Sequence, residues 1–479
     1  MTTSETGYRW RWIALFVILA GEILDLLDAL VTNIAAPTMR QSLGGSESMI
    51  QWLGAGYTLA MAFGLLTGGR LGDLYGRKRM FLIGAGGFTL GSLLCAVAQN
   101  QEMLIGSRVL QGLLGAVMLP QGLGIIKEMF PPKEVGAAFG AFGPVMGLGS
   151  VGGPILAGWL IGANYFGTGW RMIFLINLPL GVAALIAGLR YLPESRSDHA
   201  SRLDIPGMLL AGAGSLMLVY PLVQGRENGW PVWTFVSMAA SVAVFALFGW
   251  TQVRKQRAGG DPLIVPSLFR KRGFTGGLIM GLAFFSSLAG FSLVFSLYTQ
   301  IGLHYSPFKA GMSGIPMSFG MIAGFGIAQA VQKFGRKVMH AGIVITTGGI
   351  IGVIVTLNIV GSGVTPWQLI PALAVTGLGM GLIMAPFFNT VLAAVEQHET
   401  GSASGALTSI QQLGSAFGVA LLGTIFFDQV GHGFTDAMRV TLWVVAAMLA
   451  ATFVLTFLLP RHASAADAAE DEEKVAVTA

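Results

Sequence analysis

Apolar residues run along this chain in long blocks separated by short polar punctuation. Windows of about 20 residues, the length a helix needs to cross a bilayer, fall near 13–33, 50–70, 80–98, 103–126, 136–160, 171–190, 205–223, 233–252, 274–299, 310–331, 338–358, 367–391, 403–427 and 437–459. Each window predicts a membrane-crossing helix, fourteen in all. Charge placement orients them. With Arg9 and Arg11 on the cytoplasmic side, the external loops hold only Arg40, Arg171, Arg226, Lys309 and Arg439, and Arg108 lies inside a span. The remaining Lys and Arg fall in cytoplasmic segments, so an even number of spans with both termini cytoplasmic is expected.

Composition sharpens this pattern. The 479 residues are 53% hydrophobic and 11% charged, with mean hydropathy +0.70; soluble domains carry about 25% charged residues. A polytopic membrane protein is therefore expected. Its 69 glycines suit helices that pack closely in lipid. The single Cys95 excludes an intrachain disulfide and a cysteine-built metal site, and reads as an inert packing residue. The net charge of +5 is dispersed over short loops, which argues against a nucleic-acid partner. The first apolar block is too long for a signal h-region and contains three acids, so it reads as a retained span.

The chain also echoes itself. GRLGDLYGRKR at 69–79 follows the second window and AQAVQKFGRK at 328–337 follows the tenth; aligning Gly76 with Gly335 gives an offset of 259 residues. The parse is a six-helix bundle over 1–200, two inserted helices over 201–255, a basic cytoplasmic linker over 256–272, a second six-helix bundle over 273–460 and an acidic tail over 461–479, expected to be disordered. Two bundles around a central site are an architecture expected of a transporter.

The chemistry concentrates in EILDLLDALVTNIAAP at 22–37. Glu22, Asp25 and Asp28 are spaced by three residues and share a helix face of roughly 120°, with Thr32 on the same face. A carboxylate at mid-bilayer costs about 2.5–3.5 kcal/mol, so the three acids point to a water-filled cavity, to partial protonation or to basic partners. Like charges on one face disfavour simultaneous ionisation, which makes Asp28 with Asp25 a candidate proton-exchanging pair. Arg108 is either their partner or reaches to the external face.

Further motifs bear on movement. Gly69, Gly72 and Gly76 permit a tight turn, and Asp73, Arg77, Lys78 and Arg79 form a cytoplasmic charge cluster able to pair with a helix end in one conformation and release it in another. Gly140, Gly149, Gly153, Pro154 and Gly158 mark a smooth, bendable fifth span. The second set of spans lacks acids and bases, so its aromatic and amide side chains are candidates to shape a substrate cavity. They are Phe291, Phe295, Tyr298, Gln300, Phe388, Asn389, Gln411 and Gln412, joined by Asn33, Gln51 and Tyr57 in the first set. Core packing is the competing reading for each aromatic.

Through Gly69, Leu71, Asp73, Gly76, Arg77 and Lys78 the chain resembles the major facilitator superfamily, whose loop between spans two and three reads GxLaDrxGrk. Arg108, Gln111, Gly112, Gly115 and Ala116 resemble the RxxQGxGaa motif of its proton-coupled drug exporters, in which the arginine is associated with proton coupling. Residues 140–158 resemble the antiporter motif G-x8-G-x3-GP-x2-GG, with Ala157 replacing one glycine. Asp28, Asn33, Ala35 and Pro37 resemble the LDxTxVNVAxP signature of fourteen-span drug:proton antiporters; Glu22 and Asp25 lie outside it. The second loop departs from the family pattern at Ala328 and Gln332.

The resemblance implies an all-α integral membrane protein of the major facilitator fold. It implies a monomer in the cell membrane that exports amphipathic drugs or antibiotics against protons, with no cofactor and no metal. A proton-coupled metabolite importer or facilitator is the alternative. An intramembrane enzyme is more remote: Asp25 and Asp28 share one helix, and no HExxH, CxxC or nucleophile triad is present. A transporter-like sensor without flux is a further reading.

Overall fold

The computed structural model describes residues 8–196, 202–331, 334–393, 395–396 and 399–460. The acidic tail and Gln332 lie outside them. Every apolar window lies on helix. In order these helices are α1 (Arg11–Leu43), α2 (Glu47–Tyr75), α3 (Arg77–Ala96), α4 (Gln101–Met129), α5 (Pro132–Gly140), α6 (Phe142–Ala163), α7 (Met172–Leu175), α8 (Asn177–Tyr191), α9 (Ile205–Gln224), α10 (Val232–Arg257), α11 (Arg272–Leu297), α12 (Pro307–Ser313), α13 (Ile315–Ala330), α14 (Arg336–Val360), α15 (Pro366–Ala393), α16 (Thr400–Gln429) and α17 (Phe434–Leu455). Twelve helices among the described residues are long and apolar enough to cross a membrane; within the fifth window, Gly147–Ala163 is a shorter apolar helix. α1 carries the three acids.

The fifth, sixth and tenth windows each carry a one-residue interruption, at Ala141, Ile176 and Gly314, although Gly169–Tyr191 and Pro307–Ala330 each still run on as one membrane-length span. The sixth breaks between α7 and α8 just before Pro179, and the tenth between α12 and α13 just before Pro316. Proline lacks an N–H and crowds the preceding turn, so the helix restarts there. Helix ends follow local chemistry. Asn100 caps α4 by accepting from the Met103 N–H at 2.8 Å, Asp204 caps α9 through the Gly207 N–H at 3.1 Å, and Gly44 ends α1 at φ 65°.

The chain divides into two compact units. The first runs to Leu263 and takes in Tyr305–Met312; the second comprises Ile264–His304 and the chain from Ser313 onward. In the first unit α4 packs against α2 and α3, and α1 lies against α4, α6 and α8. The inserted pair α9–α10 is fastened to both ends of α2. At one end Arg226 pairs with Glu47, and Glu227 accepts from the Ser48 N–H at 2.8 Å and hydroxyl at 2.9 Å. At the other, Arg70 donates to the carbonyls of Arg202 at 2.9 Å and Leu263 at 3.2 Å, and to that of Pro262.

In the second unit α15 packs against α13 and α14, and α11 against α16 and α17. Close approach there requires glycine. A Cβ on Gly377 would collide with the Met317 carbonyl of α13, and one on Gly324 with the Leu378 carbonyl of α15. Small residues let helix backbones touch where lipid offers no hydrophobic drive to associate.

Candidate functional site

The polar centre of the first unit lies where α1, α3, α4 and α8 meet. α1 and α4 both present their polar residues at helical spacing, so the faces of the two helices mesh as a ladder. A Cβ on Gly115 would lie 3.6 Å from Asp25 Oδ1, and one on Gly122 would lie 4.0 Å from Glu22 Oε1. One turn further along, Asp28 meets Arg108 and Gln111.

Asp28 is 3% exposed and Arg108 1%. They form an ion pair between Asp28 Oδ2 and Arg108 Nη1. Asp28 Oδ1 accepts from Gln111 Nε2 at 2.9 Å and from Asn177 Nδ2 at 3.0 Å. Ser92 Oγ accepts from the same two amides, at 2.8 Å and 3.2 Å. Arg108 Nη1 also donates to Gln111 Oε1 at 2.7 Å, and Nε reaches the Leu53 carbonyl at 3.4 Å. A buried pair is tolerable when its remaining lone pairs and protons are satisfied in this way. The reading of Arg108 as reaching outward is replaced by pairing inside the unit. Thr32, on the acid face, turns its hydroxyl back to the Asp28 carbonyl at 2.7 Å.

Tyr57 of α2 ties the acids together. The Arg108 guanidinium sits 4.2 Å from its ring centroid, and its hydroxyl donates to Asp25 Oδ1. Asp25 is thus held by a phenol while Asp28 is held by a guanidinium and two amides, so the two acids have different partners. Tyr57 and Gln51, expected on a substrate wall, are both buried. Asn33 is partly buried on α1.

Sequence reasoning singles out Asp28 and Arg108 but not Ser92 or Asn177, and it names Gln111 only as a motif residue. Asn177, in FLINLPLG, is a lone amide in an apolar stretch; a buried amide needs partners, and that was the available signal. Cys95 does more than fill space: its thiol lies 3.7 Å from Gln111 Oε1.

The loop between α2 and α3 is tied to three neighbours. Gly76 turns the chain at φ 102°. Arg77 pairs with Asp73 at 2.9 Å and with Glu128 at the end of α4, and Lys78 Nζ donates to the Leu189 carbonyl at 2.8 Å. A Cβ on Gly72 would collide with the Gln121 amide, whereas Gly69 is open to within 3.9 Å of Pro120. On α6, Gly149 and Gly153 face Leu26, Leu27 and Leu30 of α1, and Gly158 and Pro154 abut the backbone of Phe308 and Gly311. Outside the spans, Arg11 pairs with Glu134 at 2.7 Å, and that hydrogen bond holds the Glu134 carboxyl below its ordinary range.

The second unit's candidates fall into two groups. Phe291, Phe295 and Tyr298 are buried; the first two rings lie 5.9 Å apart, and the Tyr298 hydroxyl is 3.3 Å from Thr435 Oγ1. Phe388, Asn389, Gln300, Gln411 and Gln412 keep accessible surface. Phe388 stacks edge-on against Phe387 at 5.2 Å, and Gln300 Nε2 donates to Ser296 Oγ at 3.0 Å. No group of His, Cys, Asp or Glu suited to a metal ion occurs among the described residues.

Comparison with known proteins adds to this geometry. The chain is 51% identical over 433 residues to a protein of Streptomyces coelicolor described as a "probable actinorhodin transporter", covering 90% of this chain and 75% of that one. It is 32% identical over 440 residues to a tetracenomycin C resistance and export protein of Streptomyces glaucescens, covering 91% and 79%. A crystal structure of a POT family transporter in complex with 5-aminolevulinic acid superposes with TM-score 0.67 at 14% identity, covering 92% of this chain and 96% of that one, a likeness of fold. The sequence model of the Major Facilitator Superfamily matches residues 12–419. An all-helical, multi-pass membrane chain with these relatives is a transporter rather than an enzyme, and it belongs to the Major Facilitator Superfamily.

Proposed function

We propose that this protein exports amphipathic antibiotic-type molecules from the cytoplasm across the cell membrane in exchange for protons, with both termini cytoplasmic. The relative described as a tetracenomycin C resistance and export protein supports the direction, and with the probable actinorhodin transporter it supports the substrate class. The buried Asp28–Arg108 pair supports the coupling, and it is the observation that carries the reading. A carboxylate sealed from water with one cation has two stable uses: it stays charged and paired, or it takes a proton and frees the arginine. Alternation between the two states would link proton entry to rearrangement of α1 against α4. Asp25 and Glu22, on the same seam, are proposed as further proton-carrying groups. The charge cluster Asp73–Arg77–Glu128, with Gly69, Gly76 and Lys78, is proposed as the cytoplasmic latch, and Gly149, Gly153, Pro154 and Gly158 as the flexing face of α6. Gln300, Phe388, Asn389, Gln411 and Gln412, which keep accessible surface in the second unit, are proposed to line the substrate path.

Inside-out vesicles with an acidified lumen test this. Antibiotics and cationic dyes added one at a time should discharge the pH gradient in the wild type and leave it intact in Asp28→Asn. Equal discharge by a well-expressed Asp28→Asn protein would refute the assignment, and substrate movement out of the lumen would point to import. Unaltered drug tolerance in an Asn389→Ala, Gln411→Ala double variant would remove those two from the substrate path.

A further inference from the structure

Asn177 has no place in the ion pair itself, yet it is 2% exposed and touches Asp28 directly. Three donors converge on the Asp28 carboxylate: Arg108 Nη1, Gln111 Nε2 and Asn177 Nδ2. They differ in freedom. The Gln111 amide is locked, because its Oε1 accepts from Arg108 Nη1 at 2.7 Å and faces the Cys95 thiol at 3.7 Å. Turning it would set an NH2 group against a guanidinium. Asn177 has a different second partner, the Ser92 hydroxyl at 3.2 Å. A hydroxyl carries one donor and two acceptor sites, so Ser92 can meet either end of the amide while still accepting from Gln111 at 2.8 Å.

We infer that Asn177, together with Ser92, is a positioning residue that sets the proton affinity of Asp28 by turning its side-chain amide when Asp28 gains or loses its proton. With Asp28 charged, Nδ2 donates to Asp28 Oδ1 and to Ser92 Oγ. When a proton arrives on the Asp28 carboxyl, that group becomes a donor. The amide then turns so that Asn177 Oδ1 accepts from the new Asp28 O–H and from the Ser92 O–H. The proton stays on Asp28 throughout, and no bond other than hydrogen bonds changes. Hydrogen bonds to an ionised acceptor are roughly twice as strong as neutral ones, so the net effect of Asn177 is to favour the charged acid. Because Asn177 is the first residue of α8 and Ser92 lies on α3, the state of one proton is read by two helices besides α1 and α4.

The charged and titratable groups facing this cluster are Arg108 on α4, Asp25 on α1, Tyr57 on α2 and Cys95 on α3. The sequence of α6, packed on α1, has no ionisable side chain, and that of α8 has only Arg190 and Tyr191 at its far end. The inference rests on the proposed role of Asp28 as a proton-carrying acid, but its test needs no transport.

The purified full-length protein would be titrated by infrared difference spectroscopy, following the carboxyl C=O band that disappears in Asp28→Asn. In Asn177→Leu the midpoint of that band should rise by about one pH unit, the size of one lost hydrogen bond to a charged group, and Asn177→Gln should return it toward the wild-type value. An unmoved midpoint in folded Asn177→Leu would overturn the inference, since a residue that only fills space leaves the titration unchanged. If Asn177→Leu does not fold, wild-type protein with carbon-13 in its asparagine side-chain carbonyls decides the matter. Its acid-minus-base spectrum should contain a labelled amide band that Asp28→Asn lacks, and absence of that band overturns the inference. A shifted titration in protein that moves no protons with substrate would refute proton antiport and leave Asn177's action on Asp28 standing.

Discussion

The offset that aligns Gly76 with Gly335 carries Asp28 of α1 onto Ser287 of α11. Both positions are buried, each within its own unit. Asp28 is held by side chains from α4 and α8, whereas the Ser287 hydroxyl turns back to the Ala283 carbonyl of its own helix at 2.8 Å. At these aligned positions the first unit thus holds a charged, cross-linked side chain and the second a neutral one satisfied within its own helix. The paired loops tell the same story. Gly76 and Gly335 both turn the chain at positive φ, at 102° and 52°. Arg77 then meets carboxylates, while Arg336 donates to the backbone carbonyls of Phe457 at 3.0 Å and Leu459 at 2.9 Å. The two loops thus share the backbone turn, while the arginine that follows it meets carboxylates in one and backbone carbonyls in the other.

The largest test of this contrast removes Arg108. Arg108→Leu leaves Asp28 buried without its cation, which should cost about 3–5 kcal/mol and appear as a large fall in thermal unfolding temperature of the purified protein. Replacing Asp28 by Leu as well should recover most of that stability without recovering proton-linked transport. A double variant no more stable than Arg108→Leu would break the account of the pair.

Next in size is Ser287→Asp, which transplants the acid without its partners. No Lys or Arg is buried among the described residues of the second unit, so the new carboxyl should cost about 2.5–3.5 kcal/mol on insertion scales. Unchanged thermal stability would mean that the second unit hides a compensating group. Gly377→Ala probes packing that both units share in kind. Its Cβ would press on the Met317 carbonyl, and overpacking of this sort costs about 1–3 kcal/mol; an unshifted unfolding temperature would show that α13 and α15 can part freely.

The smallest effect lies at the foot of the inserted pair. Burial alone would raise the Asp204 carboxyl, but the Gln252 amide at 2.8 Å, the Gly207 N–H and the Lys255 ammonium at 3.1 Å outweigh it and hold it below the ordinary range. A lowered folded value stabilises the protein above the ordinary carboxylate range, and that contribution disappears as pH falls through the folded value. Asp204→Asn should therefore lower stability by about 1 kcal/mol at most at neutral pH, since Lys255 reaches solvent. The difference from wild type should fade in acid; a deficit that persists there would assign the loss to packing.

That each apolar window is helical was legible from hydropathy and length, because a bilayer leaves an apolar segment of about 20 residues little alternative to helix. The one-residue interruptions ahead of Pro179 and Pro316 were less so, since composition windows average over a single missing N–H. Asp28 and Arg108 stood out because charge in a span is costly enough to demand a reason. Ser92 and Asn177 did not, because a lone hydroxyl or amide in an apolar helix costs less and recurs for many causes.

Sequence alone therefore determined the membrane class, the helices and the charged pair of candidates, all of which follow from the cost of placing each residue type in lipid. Only the tertiary structure decided who meets whom. It gave Asp28 to Arg108 and Asp25 to Tyr57, brought Asn177 across 149 residues to the same carboxylate, and strapped α9–α10 to both ends of α2. Such pairings depend on the rotation and depth of each helix against its neighbours. Those are set by close packing across the whole unit, and no local stretch of sequence encodes them.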